Sequence, residues 1–498
     1  MRLKNSNINI TQILKVICTY FVVYGVMLTE HYSQDSYNYH MDPVANNVGN
    51  LASGRLGDYF VNSLANLFHI NYVDYQPVFI VLLIAALAVC SELIFNHYVT
   101  IMNQEIANDR KILLRLAIFL MFCNVFIIEW FVFVEMTFSW SLSVLFMACA
   151  VLQIGKDNNL PKMALCTLYM IISVSFYQST ISFFVSFALL GIYIAHDGVL
   201  TKKSFIESVK VLICGGFAGA INILTLKILQ ATGMAYKTGR TDSLTTEELI
   251  RNTKAIIHVI KDTIINAYGL LPRYSVLMIL IVLVVLVCIS GGNAKLRVGD
   301  YIYMLLALGM CILVVYSPHL LSADLWITQR SVVGFWIILT LPAVIILIKN
   351  ENKTIGRIAI LVLSLFIVLN VSMIQQISAN VIAGNRVDEE FSYLVQNEIA
   401  KYEEENGVKI EKIAVANDVR PSYHYRSIDF ASMNLMTRSF CVSWGGVESI
   451  NYYNKTNYKK VEMDEIIREK YFEGRDWDCM DLEEQLAFDG DTLYMIAY

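Results

Sequence analysis

The chain of 498 residues is 56% hydrophobic and only 16% charged, with a net charge of −5 and a mean hydropathy of +0.52. Soluble domains carry about 25% charged residues. The composition therefore excludes an ordinary soluble domain and a disordered chain, and describes a membrane protein of many spans.

The N-terminal stretch MRLKNSNINITQILKVICTYFVVYGVML has no small-residue cleavage site after its apolar run, so it reads as an uncleaved first span. About 20 apolar residues cross a bilayer. On that measure the sequence predicts about eleven helices, near 12–29, 77–96, 113–128, 138–154, 163–177, 180–195, 209–230, 274–290, 300–316, 331–348 and 357–375. Basic residues recur in alternate connections: Arg2 and Lys4; Arg110, Lys111 and Arg115; Lys156 and Lys162; Lys202, Lys203 and Lys210; Lys295 and Arg297; Lys349, Lys353 and Arg357. By the positive-inside rule these face the cytoplasm. The N-terminus is then inside, the C-terminus outside, and the acidic loop 30–76 extracytoplasmic.

A second outer segment, 232–273, holds a helical stretch whose Ile256, Ile257, Val259, Ile260, Ile264 and Ile265 share a face. Such a helix suits either the membrane interface or the bundle. The first domain is thus 1–375, and residues 376–498 are polar enough for a small extracytoplasmic α/β domain. Within it RVDEEFSYLVQNEIAKYEEENG predicts a helix ending at Gly407, and KIEKIAVAND and DTLYMIAY predict strands. Eight of the ten cysteines lie in or beside apolar stretches. Cys441 and Cys479 are either a pair or two free thiols.

Charges near hydrocarbon are costly and tend to be kept for a partner, a pathway or a reaction. Glu135, in FIIEWFVFVEMTFSW beside Glu129, and Arg330, at the lip of the tenth span, fit that rule best. The bland alternatives put Glu135 at the water interface and let Arg330 snorkel. Asp35 and Asp42 lie in HYSQDSYNYHMD, where the bland role is a solvated loop acid or a turn cap. His31 and Asp35 stand four apart, but no third metal ligand has a familiar spacing. The DxD in DWDCMD (476–481) reads as loop or helix-start acids. GxxxxGK[ST], GxSxG and HExxH are absent.

In order along the chain, GRLGDYFVNSLANLF, FVFVEMTFSWSLSVLFMACAVL, SFYQSTISFFVSFALL and ITQRSVVGFW resemble the bacterial type II glucosyltransferases. These are polytopic enzymes of the GT-C superfamily that modify O-antigen or other surface polysaccharide. The resemblance covers roughly residues 10–380. It implies an all-α, GT-C-like membrane fold and a polyprenyl-phosphate sugar donor, with a glycan acceptor. It assigns catalytic carboxylates to Asp35 and Glu135. It assigns substrate contacts to Arg55, Asp58, Tyr177, Gln178 and Arg330, with Lys237 and Arg240 as second-rank phosphate contacts. The family often pairs two acids in the first loop, whereas SQDSY carries Asp35 alone. The loop's tyrosines are expected to stack on sugar rings, and Arg420, His424 and Arg426 of the C-terminal domain to read the acceptor. No cofactor is certain, a divalent cation is left open, and no nucleic acid is implied. The rival function is a transporter or flippase for a lipid-linked glycan, which would place charges deep in its spans. A polysaccharide acyltransferase would need a histidine base at a membrane helix, and no such arrangement is visible.

Overall fold

A computed structural model describes residues 10–102, 107–238, 244–294, 298–350, 352–416, 439–441, 444–477 and 481–496. Arg2, Lys4, Arg240, Lys295, Arg297, Arg420, His424, Arg426, Cys479 and the centre of DWDCMD lie outside these residues, as does the side chain of Cys441.

Each predicted apolar stretch carries a helix. In chain order these are α1 (Ile10–Tyr24), then three short helices of the first loop, α2 (Gln34–Met41), α3 (Pro43–Ala52) and α4 (Leu56–Leu67). There follow α5 (Gln76–Ile101), α6 (Asn108–Phe122), the single turn α7 (Ile128–Val132), α8 (Thr137–Val151), α9 (Leu160–Phe176), α10 (Thr180–Ala195) and α11 (Lys202–Ala231). The last are α12 (Thr246–Asn266), α13 (Ser275–Ala294), α14 (Val298–Leu320), α15 (Ile337–Lys349) and α16 (Lys353–Asn406). Among the described residues six helices are long and apolar enough to cross a membrane, and four more are apolar but shorter. Along α10 and α15 nearly every residue is buried, so they form the centre of the bundle.

The predicted 113–128 span is interrupted. Helix α6 stops at Phe122, because Asn124 turns its amide onto the carbonyls of Leu120 and Met121 at 3.0 and 2.9 Å. The Asn370 side-chain amide oxygen then accepts the Val125 N–H at 3.2 Å. Freed backbone groups at membrane depth must be satisfied inside the protein, and these two asparagines do it. Residues 123–136 fold back, all buried. The segment joining the predicted spans 113–128 and 138–154 is thus a plug between helices.

Helix α12 packs on α13 and α14. Its Asn252 donates to the carbonyl of Ser322 at 2.7 Å. Ile256 is buried, while Ile257 projects outward.

The last span does not end at 375. Helix α16 runs unbroken for 54 residues, roughly 80 Å at 1.5 Å per residue, and its far half is the helix predicted to end at Gly407. That half forms one wall of the C-terminal cap. Phe391, Val395 and Ile399 pack against β1 (Lys412–Val415), β3 (Leu486–Asp489) and β4 (Thr492–Met495), and against α17 (Gly446–Asn454). With β2 (Lys459–Lys460), the sheet has the order β2-β1-β4-β3. The β1–β2 and β1–β4 pairs are parallel, and β3–β4 is an antiparallel hairpin.

Candidate functional site

Four connections meet at one end of the bundle: the first loop, the plug, the α9–α10 turn and the segment before α15. Two glycines permit the approach. A Cβ at Gly57 of α4 would collide with the Ser175 hydroxyl, and one at Gly334 would sit 2.9 Å from the Ser182 backbone. So α4 lies on the end of α9, and the turn after Arg330 lies on the start of α10.

Arg330 is the hub. Its guanidinium pairs with Glu129, which is fully buried, and its backbone N–H donates to the other Glu129 oxygen at 2.7 Å. Trp130 Nε1 and the Tyr177 hydroxyl both donate to its carbonyl, at 3.3 and 3.2 Å. The guanidinium stands 4.2 Å from the centre of the Phe133 ring. Burial works against its charge, but Glu129, Tyr177 and Asp35 outweigh that and raise its pKa. Arg330 is therefore a half-buried cation fixed on Glu129 and does not snorkel.

Glu135 is buried rather than interfacial. It accepts from the hydroxyl of Ser36 at 2.7 Å and of Ser33 at 3.5 Å. These two serines form the capping box that starts α2, so the plug holds the turn that carries Asp35. Asp35 itself is exposed in that first turn. Its charge and that of Arg330 both reach Glu135. Its Oδ1 accepts from Trp444 Nε1 of the cap at 3.0 Å. Asp42 takes the bland role of a cap, accepting from the Ala45 N–H.

Arg55 stands 5.5 Å from the centre of the Tyr177 ring and donates to Met136 Sδ at 3.8 Å. Asp58, fully buried, accepts from Asn62 at 3.0 Å and from Ser139. Burial pushes its carboxyl up to about 6, against Ser139, Arg55 and Asn62, which pull it down. Gln178 ties the α9–α10 turn to the first loop through the carbonyl of Ser53 at 2.8 Å. Lys237 is exposed on the segment after α11, where Ala235 packs on Leu51 of α3.

His31 is committed to structure. Its Nδ1 meets the Thr29 carbonyl at 2.8 Å and the Gln76 amide at 2.7 Å, and its Nε2 meets the Phe131 carbonyl at 2.9 Å. Burial lowers its pKa. Among the described residues no group of three or more histidines, cysteines or carboxylates is placed to hold a metal ion.

The three tyrosines of HYSQDSYNYHMD do not offer their faces to a ligand. Tyr32, Tyr37 and Tyr39 are buried. Tyr32 and Tyr37 dock the cap, with hydroxyl pairs Tyr32–Tyr452 and Tyr37–Tyr453 both at 2.7 Å. Asn385 of α16 exchanges two hydrogen bonds with the Tyr32 backbone, at 2.8 and 3.0 Å. Sequence reasoning gave Glu129 no role, although a second acid in the same apolar run was a signal. For Trp444, 409 residues from Asp35 in the chain, no sequence signal existed.

The sequence profile described as Glucosyl transferase GtrII matches residues 24–347, well over half of the chain. That span contains the Arg330 cluster and ends before the cap. Neither a curated protein nor a solved structure matches.

Proposed function

The chain belongs to the GtrII glucosyl transferase family, and from that premise we propose that it moves a hexose, glucose, from a polyprenyl-phosphate carrier to a surface polysaccharide or another cell-envelope glycan. It is a glycosyltransferase, and its apolar helices are those of a membrane protein. The proposed setting is the outer face of a bacterial plasma membrane, in a GT-C-like fold with the N-terminus cytoplasmic and the cap outside. The basic connections support that orientation. Those seen in the structure gather at the end opposite Arg330, where Arg110 caps the carbonyl of Asn350 and Lys210 that of Asn158.

The observation that carries the reading is one exposed carboxylate, Asp35, near enough to the Glu129-held guanidinium of Arg330 for its charge to act on it. In the proposed step the acceptor hydroxyl oxygen forms a bond to the anomeric carbon, and its proton passes to Asp35. The bond from the anomeric carbon to the phosphate oxygen breaks, and its electron pair stays on the phosphate. Arg330 and Arg55 stabilise the charge growing there. Glu135 holds the turn bearing Asp35, Asp58 and Gln178 brace Arg55, and Tyr177 fixes Arg330. Lys237 and Arg240 stay second-rank contacts for the carrier's phosphate.

A positioned base contributes about 10²–10⁴-fold. Asp35→Asn is expected to lower transfer by that factor in detergent-purified protein, with insertion and thermal stability unchanged. Wild-type rates in this variant would remove Asp35 from the mechanism. A transporter needs a sealed compartment, so transfer by purified protein in detergent separates the two functions.

A further inference from the structure

We infer that Trp444 of the cap is the platform for the acceptor: a carbohydrate-stacking residue that sets a sugar ring of the glycan against Asp35. The inference rests on the function proposed above and names a part of the site that lies beyond the residues matched to the family.

Three observations carry it. First, the aromatic rings sequence reasoning offered to the sugar are already used. Tyr32 and Tyr37 are 6% and 0% exposed and hold the cap through Tyr452 and Tyr453. Second, Trp444 is 43% exposed, and its indole N–H is spent on Asp35 Oδ1 at 3.0 Å. An indole whose polar edge is held while nearly half of the residue stays exposed presents apolar surface in a fixed orientation, and apolar surface of that kind is what the C–H face of a pyranose packs on. Third, the residue is not at the end of a loose tether. Helix α17 begins two residues later and packs on α2. Tyr452 lies edge-on to Tyr32, Tyr37 and His40, with ring centres 5.1, 5.7 and 4.7 Å apart. The backbone N–H of Ser439, five residues before Trp444, donates to the buried Asp388 of α16 at 2.9 Å.

The arrangement divides the substrates between two parts of the chain. Donor contacts come from the family-matched bundle, through Arg330 and Arg55. The acceptor contact comes from the cap. Acceptor choice is then a property of the cap, and it can change while the donor chemistry stays.

The test uses full-length protein in detergent, a polyprenyl-phosphate glucose donor, and short oligosaccharides cut from the host strain's own surface polysaccharide. Trp444→Ala is expected to raise the acceptor KM at least ten-fold while the donor KM moves less than two-fold. Trp444→Phe keeps a stacking face without the N–H, and is expected to return the acceptor KM to within about three-fold of wild type. An acceptor KM in Trp444→Ala equal to wild type, or a donor KM that rises with it, overturns the inference. So does a Trp444→Phe variant as impaired as the alanine, since the residue would then act only by holding Asp35. Thermal unfolding of both variants checks that the cap stays docked. Absence of transfer by the wild-type protein would sink the function itself; transfer with an unaltered acceptor KM would sink only the role of Trp444.

Discussion

The two ends of the helix bundle treat buried acids differently. Towards the basic end, Glu92 of α5 and Glu207 of α11 are 3% and 5% exposed, and each is paired with a cation, Arg115 and Lys210. At the other end Glu129 has Arg330, but Asp58 and Glu135 accept their hydrogen bonds from Ser139 and Asn62 and from Ser33 and Ser36. A buried carboxylate held by neutral donors is the costlier arrangement, because Arg55 and Arg330 act on these two acids without pairing with them and offset only part of their desolvation. The basic end solves a folding problem. At the other end the solution is incomplete for folding, which is what a site that must meet a charged substrate requires.

That contrast breaks most directly at the two paired acids. Glu92→Ala and Glu129→Ala each strand a guanidinium, and breaking a buried pair costs about 3–5 kcal/mol. The loss at Glu92 should fall at the low end, because the Arg115 side chain is 35% exposed and water takes over part of its solvation. Denaturant or thermal unfolding measures both. The readouts part on activity: the folded fraction of Glu92→Ala is expected to keep wild-type transfer, whereas that of Glu129→Ala loses it at least a hundred-fold because Arg330 is released. Equal activity in the two variants would make Glu129 merely structural.

Asp58 sharpens the comparison through pH. Its carboxyl is raised to about 6 in the fold from an ordinary 3.8, so the folded protein holds that proton more tightly than the unfolded chain does. The stability it contributes is full below pH 4 and is lost as pH rises through 6, on the order of 2–3 kcal/mol across the window. Asp58→Asn mimics the protonated form. The difference in melting temperature between the variant and wild type should therefore be small at pH 4 and grow towards pH 7, with the variant the more stable. A difference independent of pH would mean that the carboxylate is compensated after all.

Much of the bundle was legible because its signal is local. Apolar runs of the right length became helices, and alternating basic connections gathered at one end. The sequence was misleading where one property changed and another did not. At residue 376 the composition turns polar, yet no helix breaker stops α16, which carries on for another thirty residues. The plug was read as a span and a surface turn because its residues are apolar, and what ends α6 is Asn124, a single polar residue inside that run. Asp35, Glu135 and Arg330 stood out individually as charges in or beside apolar segments. Their link through Ser36, Glu129 and Trp444 depends on contacts across 99, 201 and 409 positions, and neither periodicity nor spacing carries that information.

The smallest effect concerns what fastens each end. On the basic side Lys203–Asp157 and Arg357–Asp109 are solvent-exposed pairs, which salt screens. On the capped side one fastening is neutral: the Tyr37 and Tyr453 hydroxyls share a part-buried hydrogen bond at 2.7 Å. Removing one partner of such a pair leaves the other poorly satisfied and costs about 1 kcal/mol. Tyr453→Phe should therefore loosen the cap by that amount, seen as faster hydrogen exchange across residues 444–460 with the bundle unchanged. The effect should be the same at low and high salt, since no net charge is involved. Asp157→Asn should leave both regions unmoved. A salt-dependent loss in Tyr453→Phe would show that charge, not the tyrosine pair, seats the cap beside Asp35, and the neutral fastening of this end would have to be abandoned.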